Sequence, residues 1–301
     1  MDSPPEPVLT PPARRWRLGA LATLALAAIG GWAANITGAT ASHVRTLTQA
    51  DSWAVYYGDQ EPPAALQGPD VLVLEPDHAW RVSALRRPGQ TVLAYLSLGE
   101  VHTTRSYAPI LTATPGAIAG RNPDWPDALT VDPRSPDWRR LVIDEVAARI
   151  LAKGYDGFFL DTIDAAEALE QKGKHPGAAA AMVELIKALK QRYPQALLVA
   201  NGGHSLLSRL APSLAGLATE SVFTDYQFKG RHYRWRPEAD AQRQQALWAK
   251  AKATYGLPVL VIEYVDPHNA PMRAAAADQV RAAGFIPYVA DIGLTALWQT
   301  P

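Results

Sequence analysis

The sequence predicts an α/β protein, a (β/α)8 TIM barrel preceded by an N-terminal export signal or membrane anchor. Three observations predict it. Eight short apolar runs recur from about Ser52 onward, helical patterns separate several of them, and an acidic or amide residue follows each run.

The first 41 residues read as a separate unit, a disordered head plus a signal peptide or signal anchor. Residues 1–13 are proline-rich, Arg14, Arg15 and Arg17 follow, and an almost uncharged alanine- and leucine-rich run extends from Leu18 to Ala34. That is the order of an export signal. Ala39-Thr40-Ala41 supplies small residues suited to cleavage, while a run of about 17 apolar residues also reaches the lower limit for a membrane span. A cleaved signal and a retained anchor both remain open. Either places the protein outside the cytoplasm, periplasmic or extracellular, and the second adds membrane attachment through that helix.

The barrel is assigned to residues 42–301. Its expected strands are Trp53–Tyr57, Val71–Leu74, Val92–Leu98, Gly157–Leu160, Ala196–Ala200, Leu217–Thr219, Val259–Tyr264 and Phe285–Val289. Most lack polar alternation, as strands covered on both faces require. One helix is expected from Ser135-Pro136, a cap followed by a first-turn proline, to Gly154, with Trp138, Val142, Val146 and Ile150 along one stripe. Others are expected over about 177–193 and 237–255. Eight strand–helix units in about 260 residues fit a closed barrel better than an open nucleotide-binding sheet. Neither Gly-x-Gly-x-x-Gly after the first strand nor a phosphate-loop lysine is present. The long stretches between strands three and four, and between six and seven, are expected to be insertions on the active face.

Composition removes whole classes of chemistry. Twenty-nine basic and twenty-nine acidic residues cancel, so no global positive field favours nucleic acid as a partner. The absence of cysteine excludes disulfides, thiolate metal sites and a cysteine nucleophile. Seven histidines show neither His-x-His nor His-Glu-x-x-His spacing, and no EF-hand loop is present, so no required metal is expected. A serine-hydrolase Gly-x-Ser-x-Gly elbow is missing as well.

Polar groups collect where the strands finish. Asp59 follows the first run, Glu75 and Asp77 the second, Glu100 the third, and Asp161 with Asp164 the fourth. Asn201 follows the fifth, Glu220 the sixth and Asp291 the eighth, while Glu263 and Asp266 mark the seventh. In a barrel these ends converge on the face where active sites are built, which predicts one acidic bowl. Two carboxyl groups facing one cleft suit acetal cleavage, one protonated toward the leaving oxygen and the other ionised toward the anomeric carbon. Asp161 and Glu220 are the sharpest candidates, but 59 residues of separation do not distinguish retention from inversion.

The segments Tyr95-Leu96-Ser97-Leu98-Gly99-Glu100, Gly157-Phe158-Phe159-Leu160-Asp161-Thr162-Ile163-Asp164, Ala200-Asn201-Gly202-Gly203, Glu220-Ser221-Val222-Phe223, Glu263-Tyr264-Val265-Asp266 and Gly284 to Asp291 resemble glycoside hydrolase family 114. That family contains endo-α-1,4-polygalactosaminidases, and the similarity spans about Trp53 to Leu294. The resemblance implies a barrel glycosidase with Asp161 as nucleophile and Glu220 as acid/base in a retaining reaction. It also implies a polysaccharide substrate, water as second substrate and no cofactor. Candidate substrate contacts are Tyr57, Glu100, Asp164, Asn201, Tyr226, Glu263, Tyr264 and Asp291. The chain departs from the family pattern at Val101 to Tyr107, where it reads Val-His-Thr-Thr-Arg-Ser-Tyr. A different class stays open beside the enzyme: a non-catalytic polysaccharide-binding or matrix-assembly protein on the same barrel. Among aromatics able to stack on sugars, Trp53 and Tyr56 are expected in the core, while Trp125, Tyr233 and Trp235 lie in the insertions.

Overall fold

The computed structural model describes residues 47–58, 64–78, 81–171 and 173–301, so the expected export segment and Asp59 lie outside the described residues. In chain order the strands are β1 (Trp53–Tyr56), β2 (Val71–Leu74), β3 (Thr91–Ser97), β4 (Glu100–His102), β5 (Ile118–Arg121), β6 (Ala128–Val131) and β7 (Gly157–Asp161). They continue with β8 (Leu197–Asn201), β9 (Gly216–Glu220), β10 (Thr224–Gln227), β11 (His232–Trp235), β12 (Val259–Tyr264) and β13 (Ile286–Ala290).

Eight of these form one parallel sheet in the order β1-β2-β3-β7-β8-β9-β12-β13. Each expected apolar run becomes one of its strands, within a residue or two at the ends. The cause is visible in the burial. Val71–Leu74 and Val259–Tyr264 are buried along their whole length, covered by helices on one side and by opposing strands on the other. Each fully buried Val, Leu or Ile side chain contributes about 1.5–3 kcal/mol through removal of apolar surface from water.

The sheet curls into a nearly closed barrel. Where β1 approaches β13, side chains rather than a backbone ladder span the gap. Trp53 Nε1 donates to the Ile286 carbonyl at 2.9 Å, and the Tyr288 hydroxyl donates to the Val55 carbonyl at 3.1 Å. The two rings lie 6.0 Å apart.

Helices Ala178–Arg192 and Glu238–Tyr255 match the expected segments. The helix after β6 begins at Pro136 behind the Ser135 cap, as expected, but widens into π-type turns over Leu141–Ala147 before ending at Ala152. Its apolar stripe explains the widening. Trp138, Val142, Val146 and Ile150 recur every four residues, a period that drifts around an ordinary α-helix of 3.6 residues per turn. The wider turns bring all four into the core. No helix among the described residues is long and apolar enough to cross a membrane.

Both long stretches are insertions. After β3 the chain builds a three-stranded antiparallel sheet, ordered β4-β6-β5, and after β9 it builds the antiparallel hairpin β10–β11.

Candidate active site

Asp161 closes β7, Asn201 closes β8 and Glu220 closes β9, three adjacent strands of the barrel. Sheet order therefore puts an amide between two carboxylates. The Asn201 Nδ2 donates to Asp161 Oδ1 at 2.9 Å and to Glu220 Oε1 at 2.7 Å. The two N–H bonds of an amide diverge by about 120°, which sets the accepting oxygens about 5 Å apart, near the carboxyl separation typical of retaining glycosidases.

Each outer carboxylate oxygen is held by a phenol. Tyr95, on β3, donates to Asp161 Oδ2 at 2.8 Å, and Tyr264, at the end of β12, donates to Glu220 Oε2 at 2.7 Å. Burial, reinforced by the neighbouring carboxylates, pushes both phenols well above their ordinary value, so they remain protonated donors. Tyr57 packs edge-on against Tyr95 at 5.0 Å and is raised for the same reasons, with Asp161 and Glu220 both contributing.

Glu220 is displaced upward from the usual glutamate range. Although Glu220 keeps solvent contact at the open end of its strand, crowding of its carboxyl by protein groups is the first cause and the Asp161 charge the next, opposed by the bonds from Tyr264 and Asn201. Glu100, half-buried, and Asp164, exposed at its edge, are raised as well, by partial desolvation first; Asp161 charge adds to both. Glu100 also accepts from Asn122 Nδ2, at 2.9 Å and 3.2 Å to its two oxygens. Asp161, Asp164, Glu100 and Glu220 thus form one electrostatically linked acidic cluster.

The backbone turns sharply beside both central acids. Thr162 and Ser221, the residues after Asp161 and Glu220, adopt left-handed φ of 57° and 58°. Non-glycine residues there store strain of about 1–3 kcal/mol each, sustained only where surrounding contacts over-determine the geometry. Those contacts are present. Thr162 Oγ1 accepts from Gly99 N at 2.9 Å and bonds Ser97 Oγ at 2.7 Å. Ser221 N donates to the Ile262 carbonyl at 2.8 Å, and its own carbonyl accepts from Arg236 Nε at 2.8 Å. At Gly99 a Cβ would collide with the Thr162 carbonyl, so only glycine lets the turns that follow β3 and β7 approach this closely.

Other strand-end acids do not join the cluster. Glu75 and Asp77 are both bound by Arg105, which engages Glu75 through both guanidinium ends and Asp77 at 2.8 Å. The same guanidinium lies 5.9 Å from the centre of the Tyr95 ring. Glu263 is fully buried and holds the loop that follows β9. Its Oε1 accepts from the backbone N–H groups of Val222 and Phe223 at 3.0 Å each, and its Oε2 accepts from Thr224 N at 2.7 Å and Thr224 Oγ1 at 2.5 Å. Burial pushes this carboxyl up to about 7 against the pull of those donors. Asp291 is spent on its own loop, accepting from Gly293 N, Leu294 N and, at 2.6 Å, Trp298 Nε1. Asp266 receives His268 N. The hydrogen-bonded centre of the expected bowl is therefore a smaller cluster, with Glu263 buried under the loop after β9 and Asp291, half-buried, holding its own loop while its charge reaches Tyr264.

Tyr226 stands on β10 within an aromatic group, 5.2 Å from Phe228 and 5.0 Å from Tyr233. Two contributors were not singled out from sequence. Tyr95 lies in β3 two residues before Ser97, the register partner of Asp161, and Arg105 sits in the stretch that departs from the family pattern. Among the described residues no three of His, Asp and Glu converge as a metal site.

The profile of glycoside-hydrolase family GH114 matches residues 33–301. The glycoside hydrolase domain of PelA from Pseudomonas aeruginosa is 28% identical, with a TM-score of 0.75, over 83% of this chain and 98% of that domain. Ega3 of Aspergillus fumigatus, solved in complex with galactosamine, shares the fold at a TM-score of 0.64 and 15% identity, over 82% of this chain and 94% of that one. An uncharacterized protein of Deinococcus radiodurans is 27% identical over 97% of this chain and 89% of its own length.

Proposed function

The chain belongs to glycoside hydrolase family GH114 and is a glycoside hydrolase; from that premise we propose that it is an exported endo-glycosidase cutting α-1,4-linked galactosamine or N-acetylgalactosamine polysaccharide by retention. The observation that carries this reading is the Asn201 amide shared by Asp161 and Glu220.

The two carboxyls divide the work. Both carry a donor on each oxygen, so the raised proton affinity of Glu220 separates them and leaves Asp161 as the nucleophile. Glu220, whose proton is held more tightly than usual, is the acid. In the first step an Asp161 oxygen attacks the anomeric carbon, the bond to the glycosidic oxygen breaks, and that oxygen takes the Glu220 proton. Ionised Glu220 then removes a proton from water, whose oxygen displaces Asp161 from the anomeric carbon. Tyr264 donates to Glu220 Oε2 and favours its ionised form, which limits the upward displacement and steadies the carboxylate left after proton transfer.

Charge supports the substrate class. Arg105 compensates Glu75 and Asp77, so the uncompensated negative charge gathers around Asp161, Asp164 and Glu100, where it attracts the ammonium groups of a deacetylated polymer. Export is supported by the basic residues and apolar run of 14–34, with residues 42–301 forming the enzyme domain. The test is release of new reducing ends from galactosamine polymers, with the anomeric configuration of the first product followed by NMR. Asp161→Asn and Glu220→Gln should each lower turnover by orders of magnitude in a folded protein. Near-wild-type turnover in either variant would overturn the assignment, and inverted product would overturn the mechanism.

A further inference from the structure

The two insertions touch at their tips. Trp125, in the turn between β5 and β6, meets Phe228, in the turn of the β10–β11 hairpin, with ring centres 5.6 Å apart and planes at 85°. Phe228 in turn meets Tyr226 edge-on, and Tyr226 meets Tyr233, whose hydroxyl accepts from Ile292 N in the loop after β13 at 3.2 Å. This ladder joins an insertion rooted on β3 to a hairpin rooted on β9. Between those roots in the barrel lie β7 and β8, whose ends carry Asp161 and Asn201. Contacts thus run from one insertion to the other around the strand ends that hold the reacting groups.

The ladder is also continuous with the acidic cluster. Trp125 N and Asp124 N donate to Asn122 Oδ1, and the other end of the same Asn122 side chain donates to Glu100. Trp125 is nonetheless 46% exposed and Phe228 44%, so an edge-on contact joins them while much of each ring stays in water. Neither ring is committed to the core. Large aromatics left exposed together mark a binding surface more often than a scattered apolar residue does.

We propose that Trp125 and Phe228 form an aromatic clasp, a distal subsite that grips the amino-sugar polymer away from the bond being cut. The inference rests on the substrate reading above. Its chemistry is complementary on two counts: pyranose rings present apolar C–H faces to an aromatic plane, and ammonium substituents are attracted to the negative face of the indole. A grip of this kind acts only on a chain long enough to reach both the clasp and the catalytic pair.

Polymer length is therefore the readout. Trp125→Ala and Phe228→Ala are compared with wild type on long galactosamine polymer and on the shortest oligomer the enzyme cuts. Binding of the long polymer is measured in the Asp161→Asn background. The clasp predicts a fall of about ten-fold or more in kcat/KM on the polymer, carried mainly by KM, with matching loss of binding, and less than about two-fold on the short oligomer. Trp125→Phe should restore most of the loss. Equal losses on long and short substrates, or wild-type polymer binding in both variants, would overturn the clasp while leaving the hydrolase reading standing. If wild-type enzyme left galactosamine polymers uncut, the substrate reading would fall first and the clasp with it.

Discussion

Replacing Glu263 by glutamine separates a loop anchor from a sugar contact. The side chain is buried and receives four donors, two on each oxygen. Glutamine keeps the shape but turns one oxygen into an NH2 group. Whichever oxygen is lost, at least one backbone N–H then faces another donor, because only Thr224 Oγ1 can rotate to accept. An orphaned buried donor costs about 1–3 kcal/mol, whereas the bonds lost to a charged acceptor are offset by the burial penalty on the carboxylate that the neutral amide escapes, so a loss of about 2 kcal/mol follows. For a domain of this size that corresponds to a fall in Tm of about 4–8 °C. Thermal unfolding should be followed at pH 8, above the value of about 7 to which burial pushes the group, so that the wild-type side chain is the ionised acceptor. Because Val222 to Thr224 follow directly on Glu220 and Ser221, kcat should fall too. A variant with Tm within about 2 °C of wild type and a raised KM would show Glu263 to be a substrate contact and refute the packing argument.

Asn201→Leu removes one donor from each carboxylate; at about 1.5–3 kcal/mol per charge-assisted bond, kcat should drop at least about 100-fold, and a drop under about three-fold would contradict the bridging role. The alkaline limb of kcat/KM reports loss of the Glu220 proton and should lie above the ordinary glutamate value of 4.5. Tyr264→Phe removes a donor that favours the charged form, so the limb should move further upward; a downward move would count against the assignment. Arg105→Ala leaves Glu75 buried without its partner and should cost about 3–5 kcal/mol in urea unfolding, with Arg105→Lys intermediate; an unchanged midpoint would show that the pair is dispensable.

The barrel was legible because two-sided burial writes itself as unbroken apolar runs, as in Val71–Leu74 and Val259–Tyr264. Strand ends were legible for the same reason, and they led to Asp161, Asn201 and Glu220. The partition of the remaining acids was less so. Glu263 and Tyr264 were both expected to touch substrate, yet neighbours on a strand point to opposite faces, and Tyr264 is the one that reaches Glu220. Strand alternation could have separated them. Neutralisation of Glu75 and Asp77 depends on Arg105, about 30 residues further along an insertion with no strong periodicity, so no local pattern announced it. Tyr95 was hidden by its setting, an aromatic in an apolar strand, until pairing of β3 with β7 brought its hydroxyl to Asp161.

The stitching of β1 to β13 has a consequence for how the molecule is made. Trp53 and Ile286 are 233 positions apart, as are Val55 and Tyr288, so the strand that leaves the ribosome early waits for one synthesised near the end. Until then the nascent sheet exposes an open edge on either flank, and such edges invite pairing with foreign strands. Sealing is deferred to the last moments of translation, and a truncation that removes β13 should give an aggregating product rather than a smaller, weaker enzyme.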